Sequence, residues 1–457
     1  MKKVLKISVG LLSALLLGCY GAGCYYFQSH YYYGTTIEGR LYGCMAEPET
    51  EEDLQRRQDG YTLTVHGRNH LTDVLKGDES GLIFEPGKEL LEILGRQNYY
   101  LWPLSFFERH SYELTHSVQV NEEKFSEAAG RMSVFLPENI QKPQNAYLSS
   151  YSPLDKGYFI VPEVEGNRIH KEEALAAIRE ALIRRESELE LTDPQYYDRP
   201  LLRAEDEMLI QKAEQRNNYT KLAFTYNMHG VELVVDGDQI HEWLKEKDGR
   251  VFVDKEMVLS YVQELADTYD TYGKEREFMT VRGVQKHLRS GAYGWKMDVE
   301  EEYQAMLAML EEGKSCSREP QWKKKGYVEG TLDIGDTYVE IDLGAQRLYL
   351  VKDKEVILES KFVSGNAARG WGTPSGVFGL TYKTRNAVLR GENYETPVNY
   401  WMPFNHNIGM HDATWRGSFG GDIYKTNGSH GCINLPFGNA EKIYNFVETN
   451  MPVVCYY

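Results

Sequence analysis

The sequence predicts a chain in three parts: an N-terminal membrane anchor, α+β central modules, and a C-terminal, mainly-β domain. Three observations carry this. Ile7 to Phe27 holds no charged residue and follows Lys2, Lys3 and Lys6. Between 34 and 318, short β-prone stretches alternate with amphipathic segments that open on carboxylates. From 337 onward, strand patterns lead to Ser429-His430-Gly431-Cys432-Ile433-Asn434, with a further histidine in Met410-His411-Asp412.

The anchor comes first. An uncharged run from Ile7 to Phe27 is long enough to cross a hydrocarbon layer of about 30 Å as a helix. The basic run Met1 to Lys6 keeps that end in the cytoplasm, which puts the rest of the chain outside. The aromatic cluster Tyr25, Tyr26, Phe27, Tyr31, Tyr32 and Tyr33 suits a membrane interface. Two other fates are written in the same segment: Gly21-Ala22-Gly23 as a signal-peptide cleavage site, and Leu16-Leu17-Gly18-Cys19 as a lipoprotein box. The full length of the span favours an uncleaved single-pass anchor over 1–33, and each fate leaves the C-terminal domain outside the cytoplasmic membrane.

The central region is expected to hold a first α+β module over 34–150 and a second over 151–318. A strand, a carboxylate-rich turn and an amphipathic helix recur at Ile83 to Leu91, Ile169 to Leu175, Val253 to Leu259 and Met297 to Tyr303. Helices are expected over 171–189, 254–271 and 298–312, with Asp254 and Asp298 as N-caps and Gly313 as a stop. The polar, Pro- and Gly-punctuated stretch up to 336 reads as a connector over 319–336, and the last domain as 337–457.

Composition excludes one partner class. The net charge of −17 lies almost wholly upstream of 331, and no basic face is available for nucleic acid. Six cysteines are too few for a disulfide framework, although a Cys44 to Cys316 bridge is conceivable in an oxidising compartment.

A cysteine needs a cationic or imidazole neighbour to work as a nucleophile at neutral pH. His430 lies two residues from Cys432, too short a tether for its ring to point at the sulfur. The base role therefore goes to His411, and His430 is placed in the pocket wall. A zinc set from His406, His411, His430 and Cys432 fits no common spacing, so neither metal nor cofactor is expected.

His411 followed by Ser429-His430-Gly431-Cys432-x-Asn434 resembles the signature of the YkuD-type L,D-transpeptidases, bacterial enzymes that cross-link peptidoglycan. The hairpin Tyr338 to Val351, then Val363-Ser364-Gly365, Thr373-Pro374-Ser375-Gly376, and Tyr400 to Phe404 running into Ile408-Gly409-Met410-His411 and Trp415, are similar to family landmarks in the same order. The segment from Gly34 to Gly39, and Tyr293 to Asp298, resemble the YoaR-like modules that precede such domains, for which the resemblance implies peptidoglycan binding, with spacing of the last domain from the membrane as the other reading.

The resemblance implies an L,D-transpeptidase catalytic domain in which Cys432 attacks a stem-peptide carbonyl and His411 moves the protons. Backbone N–H groups of Gly431 and Cys432 would hold the oxyanion, and Asn434 would brace the loop or donate to substrate. Ser429 and His430 complete the pocket, Tyr400 and Trp415 its substrate cleft. The carbonyl of Asp412 would orient His411, with its carboxylate as a further candidate. Expected partners are peptidoglycan stem peptides as acyl donor and amine acceptor, the bacterial cytoplasmic membrane through the N-terminal helix, and carbapenem-type inhibitors. Wall-peptide hydrolysis by an L,D-carboxypeptidase or cysteine peptidase, and a catalytically silent wall-binding protein, are the rival readings.

Overall fold

In a computed structural model, residues 2–330, 332–391 and 394–457 are described; Met1, at the head of the basic run, lies outside the described residues. The chain divides into two compact units. One comprises 1–147 with 160–206, the other 148–159 with 207–457.

The first unit opens with helix α1 (Lys2–Tyr26), whose Ile7–Tyr26 stretch is apolar and long enough to cross a membrane. Strands β1 (Thr62–His66) and β2 (Thr72–Lys76) form a hairpin covered by helix α2 (Lys171–Arg184). The stripe Ala174, Ile178, Ala181 and Leu182 packs on Leu63 and Val65, the helical period meeting the strand period of two. The helix expected to reach 189 ends at Arg184. Arg185 adopts a left-handed conformation (φ 54°), and β3 (Glu188–Glu190) returns parallel to β1.

In the second unit, helix α3 (Glu207–Thr220) precedes the hairpin β4 (Phe224–Met228) and β5 (Val231–Val235). Helix α4 (Lys255–Tyr269) starts at Asp254, whose carboxylate accepts from the N–H groups of Glu256 and Met257. Hairpin β6 (Arg276–Met279) and β7 (Gln285–Leu288) leads on to helix α5 (Val299–Glu312). Gly313 closes that helix at φ 69°, whereas Asp298 occupies the N-cap position without a side-chain cap bond. Strand β8 (Cys316–Arg318) then runs parallel to β4. Glu302 on α5 is fully buried, and its carboxylate accepts from the Tyr226 hydroxyl, the Arg318 guanidinium and the Gln321 N–H.

The stretch expected as a connector is built into this unit. Trp322–Lys324 pairs with Lys296–Met297, and the buried carboxylate of Asp333 accepts from the Thr271 hydroxyl and two nitrogens of Arg276. All six cysteines are free thiols.

Two sheets share the C-terminal core. One takes β9 (Tyr338–Asp342), β10 (Arg347–Lys352), β11 (Glu355–Lys361), β12 (Gly376–Gly379) and, last in the chain, a strand over Pro452–Tyr456; its order is β11-β10-β9, the last strand, β12. The other is β13 (Thr384–Gly391), β14 (Tyr394–Asn405), β15 (Ile408–Asp412) and β16 (Ile433–Leu435) in that order. Val339, Ile341, Leu348 and Leu350 of the first meet Met402, Met410, Ile433 and Leu435 of the second, and helix α6 (Phe437–Phe446) adds Ala440 and Ile443. Strand β9 is buried on both faces. Its outer face carries Glu340, whose carboxylate accepts from the Val281 N–H and the Tyr456 hydroxyl next to hairpin β6–β7.

Removing one partner of a buried ion pair strands the other charge, at a cost of about 3–5 kcal/mol. Arg276→Ala is therefore expected to destabilise the full chain by about 3 kcal/mol in chemical denaturation followed by near-UV circular dichroism. A change below about 1 kcal/mol would contradict the assignment of Arg276–Asp333 as a buried tie.

Candidate active site

The site starts with a register. After the turn at His406 and Asn407, β15 pairs antiparallel with β14 on one side and parallel with β16 on the other. The parallel pairing sets Met410 against Ile433, His411 against Asn434 and Asp412 against Leu435. Cys432 is the residue immediately before β16, so the same register carried back one step sets it beside Gly409, two residues before His411 and on the same face.

The cysteine turn is fastened from its other side by residues 363–373. Val363 and Asn434 exchange backbone hydrogen bonds of 3.0 and 2.9 Å, Ser429 donates to the Ser364 carbonyl, and Asn366 donates to the Ser429 carbonyl. The Thr373 hydroxyl donates to the Gly431 carbonyl (2.7 Å) while accepting from the Gly365 N–H. Gly365 is required by contact, since a Cβ there would sit 1.8 Å from the Trp371 carbonyl oxygen. Gly431 is required by conformation, its φ being +121°.

His411 is buried, and its Nδ1 lies 2.8 Å from the Asp412 carbonyl oxygen. A carbonyl only accepts, so Nδ1 carries the proton and Nε2 is the basic nitrogen of the neutral ring. The imidazole stacks with Trp415 at 5.9 Å and lies beside Trp401. Burial pushes its pKa below the ordinary histidine range, a shift the Asp412 carbonyl partly opposes.

The Asp412 carboxylate has a different task. It is fully buried and accepts from the N–H groups of Asn399 and Tyr400 and from the Asn399 amide, each at 2.8 Å. A buried carboxylate costs several kcal/mol unless donors satisfy it. These three do, and they fasten β14 to the histidine strand, so the hydrogen bond to His411 falls to the backbone carbonyl of Asp412 while the carboxylate acts on the ring through its charge alone.

Cys432 is partly exposed, with Sγ 3.5 Å from the Asn407 carbonyl oxygen. Burial pushes its thiol up to about 11, against which the Gly409 N–H acts as the opposing influence. Thiol and imidazole are therefore both shifted toward their neutral forms. The Ser429 hydroxyl donates to the Cys432 carbonyl (2.6 Å) and accepts from the Gly431 N–H (3.0 Å). This corrects the expectation of two oxyanion donors: the Gly431 N–H is already occupied by Ser429, which leaves the Cys432 N–H of that pair. His430 stacks on Trp371 at 4.2 Å, with the Arg369 guanidinium over the indole.

A cleft of about 240 Å³ brings together His411, Trp415, Ser429, His430, Cys432 and Asn434. Tyr400 is not in it. Its side chain lies in the core against Phe437 and Tyr444, with its hydroxyl donating to Glu441, because strand alternation turns it to the opposite face from Trp401 and His411. The cleft also takes Leu389 and Thr396 from hairpin β13–β14, and Arg416, none of which the sequence reading selected. Arg416 donates to the Asn427 carbonyl, and burial lowers its pKa. Its only sequence signal was its position beside Trp415. Thr373 was visible as part of a landmark motif, but its bond to Gly431 was not. The Asn434 side-chain oxygen is buried among the described residues without a partner, at the cleft wall.

Residues 336–455 match the family model described as "L,D-transpeptidase catalytic domain", and 206–316 match one described as "Putative peptidoglycan binding domain". No curated protein matches the chain. Among solved structures, the carbamoyl enzyme that Ldtfm forms with avibactam is 34% identical, with 55% of this chain and 99% of that one covered at a TM-score of 0.47. A Cys-to-Ser mutant of Enterococcus faecium L,D-transpeptidase is 33% identical over 54% of this chain and 100% of that one, also at 0.47. The catalytic domain from E. faecium L,D-transpeptidase acylated by ertapenem is 43% identical over 26% of this chain and 97% of that one, at 0.25.

A thiol near 11 holds almost no thiolate at pH 7. The difference in 240 nm absorbance between wild type and Cys432→Ala is expected to stay flat to at least pH 8.5, the free-cysteine value, and to rise above it. A thiolate step with its midpoint below pH 7 would contradict the neutral resting pair.

Proposed function

This chain belongs to the L,D-transpeptidase family, and on that premise we propose that it forms peptidoglycan cross-links through a Cys432 thioester, with His411 as the base. The observation that supports this best is the shared cleft: Cys432 and His411 open into one pocket, with the His411 tautomer set by the Asp412 carbonyl.

In the proposed cycle, His411 Nε2 takes the thiol proton as Sγ attacks a stem-peptide carbonyl of the donor strand. The resulting oxyanion is held by the Cys432 N–H. The C–N bond to the terminal D-residue breaks, that amine leaves with the proton from His411, and a thioester remains. An acceptor amine then attacks the thioester. His411 takes its proton and returns it to the leaving sulfur, which restores the thiol. Because thiol and imidazole both start neutral, proton transfer accompanies attack. Water in place of the amine would give carboxypeptidase activity from the same residues. The intact His411, Gly431 and Cys432 set speaks against a silent wall-binding remnant.

In the same reading, residues 7–26 anchor the protein as a single pass in a bacterial cytoplasmic membrane, with the catalytic domain in the wall space. The module matched over 206–316 would hold peptidoglycan. Trp415 and Asn434 would contact the substrate, and His430 and Ser429 would shape the pocket. Carbapenem-type β-lactams would acylate Cys432.

Intact-protein mass spectrometry after incubation with a carbapenem tests the assignment. One adduct per chain is expected on the wild type, and none on Cys432→Ala; an adduct that persists in that variant would sink it. His411→Ala should slow acylation by about 10²-fold or more, and His430→Ala by about tenfold or less. Equal losses in the two would mean that the base is misassigned.

A further inference from the structure

Nine uncharged residues, Tyr99 to Phe107, form an apolar ledge on the first unit that the catalytic reading leaves unused. Most of the segment is a 3-10 helix over Tyr99–Phe106 containing Pro103. Tyr100, Leu101, Leu104 and Phe106 are exposed, and Phe107 is 88% exposed. Apolar side chains grouped this way on a surface mark something that covers them.

The ledge is seated on the outer end of α1. Trp102 donates from Nε1 to the Tyr20 carbonyl (3.3 Å), and the Tyr20 hydroxyl donates to the Tyr100 carbonyl (3.0 Å). The Trp102 ring stacks on Phe27 at 5.6 Å, and Phe106 packs on Tyr33 at 5.0 Å. Gly23 makes the seat possible, since a Cβ there would lie 2.3 Å from the Trp102 ring. From the other side, Gln97 donates to the carbonyls of Phe27 and His30 and accepts from the Tyr32 N–H. The ledge therefore meets the last two turns of the apolar span Ile7–Tyr26, at residues 20–26, and Phe27 just beyond them.

That position selects the occupant. If Ile7–Tyr26 crosses the bilayer, its last turns lie at the headgroup level, where tyrosine and tryptophan are favoured because one end of the side chain is apolar and the other polar. The ledge supplies Tyr99, Tyr100 and Trp102 at that level, and Leu101, Leu104, Phe106 and Phe107 as apolar surface continuous with the exposed helix. Glu108 and Arg109 mark the return to water. We propose that Tyr99 to Phe107 is a second membrane-contacting element, a ledge that lies in the outer lipid interface and fixes the first unit against the bilayer at the exit of α1. The proposal rests on the reading of residues 7–26 as an anchor.

The test uses the full chain reconstituted in vesicles of phosphatidylcholine and phosphatidylglycerol doped with a diazirine-bearing lipid, followed by peptide mass spectrometry. Photoadducts are expected on both 7–26 and 99–107. In Phe106→Ser/Phe107→Ser, those on 99–107 should fall by about fivefold or more, with those on 7–26 unchanged. Adducts on 7–26 alone would overturn the ledge while sparing the anchor. Adducts on neither segment would overturn both, and adducts on 7–26 alone with copy-to-copy crosslinks from a benzoylphenylalanine placed at position 107 would mean that a second copy covers it.

Discussion

Three rungs of parallel pairing, Met410 to Asp412 against Ile433 to Leu435, fix where His411 and Cys432 sit. A short parallel pair joining segments that stand apart in sequence is weak by itself. Here it is reinforced on both flanks. The Asp412 carboxylate ties β15 to β14 through three hydrogen bonds, and Val363 pairs with Asn434 on the far edge of β16. A slip of one residue would send His411 to the opposite face and separate it from Cys432. The core beneath, with Met410 and Ile433 facing Leu348 and Leu350, resists that slip.

The same packing sets the electrostatics. Enclosing a thiol and an imidazole together disfavours charge on either, which explains why Cys432 moves up and His411 down. The Asp412 carbonyl compensates by fixing which nitrogen is basic, at little cost in desolvation. Ser429 then ties the Cys432 carbonyl and the Gly431 N–H to one hydroxyl. A turn fixed in this way presents the Cys432 N–H at a set position, the preorganisation that the proposed oxyanion role requires.

That Cys432, His411 and their neighbours share one cleft could be read from the sequence, because motif order and residue type mark them. What could not be read depends on register and facing. Tyr400 was expected in the cleft, but alternation along β14 turns it into the core. The Asp412 carboxylate looked available beside a histidine, yet its three donors come from a strand hairpinned to its own. Gly431 was expected to present its N–H, which the Ser429 hydroxyl takes. In the central region the amphipathic helices showed through their period, whereas the end at Arg184 required the left-handed Arg185 and the return of 188–190 to β1. The aromatic run at 99–107 has neither a helical nor a strand period, and its relation to α1 rests on contacts over some eighty residues of sequence.

Acyl transfer is decided by product analysis with a tetrapeptide stem donor and an added amine acceptor. Release of the terminal D-residue is expected together with a dimer joined through the acceptor amine, both absent in Cys432→Ala. Release of the D-residue with hydrolysed tripeptide alone, at saturating amine, would contradict it and leave a carboxypeptidase.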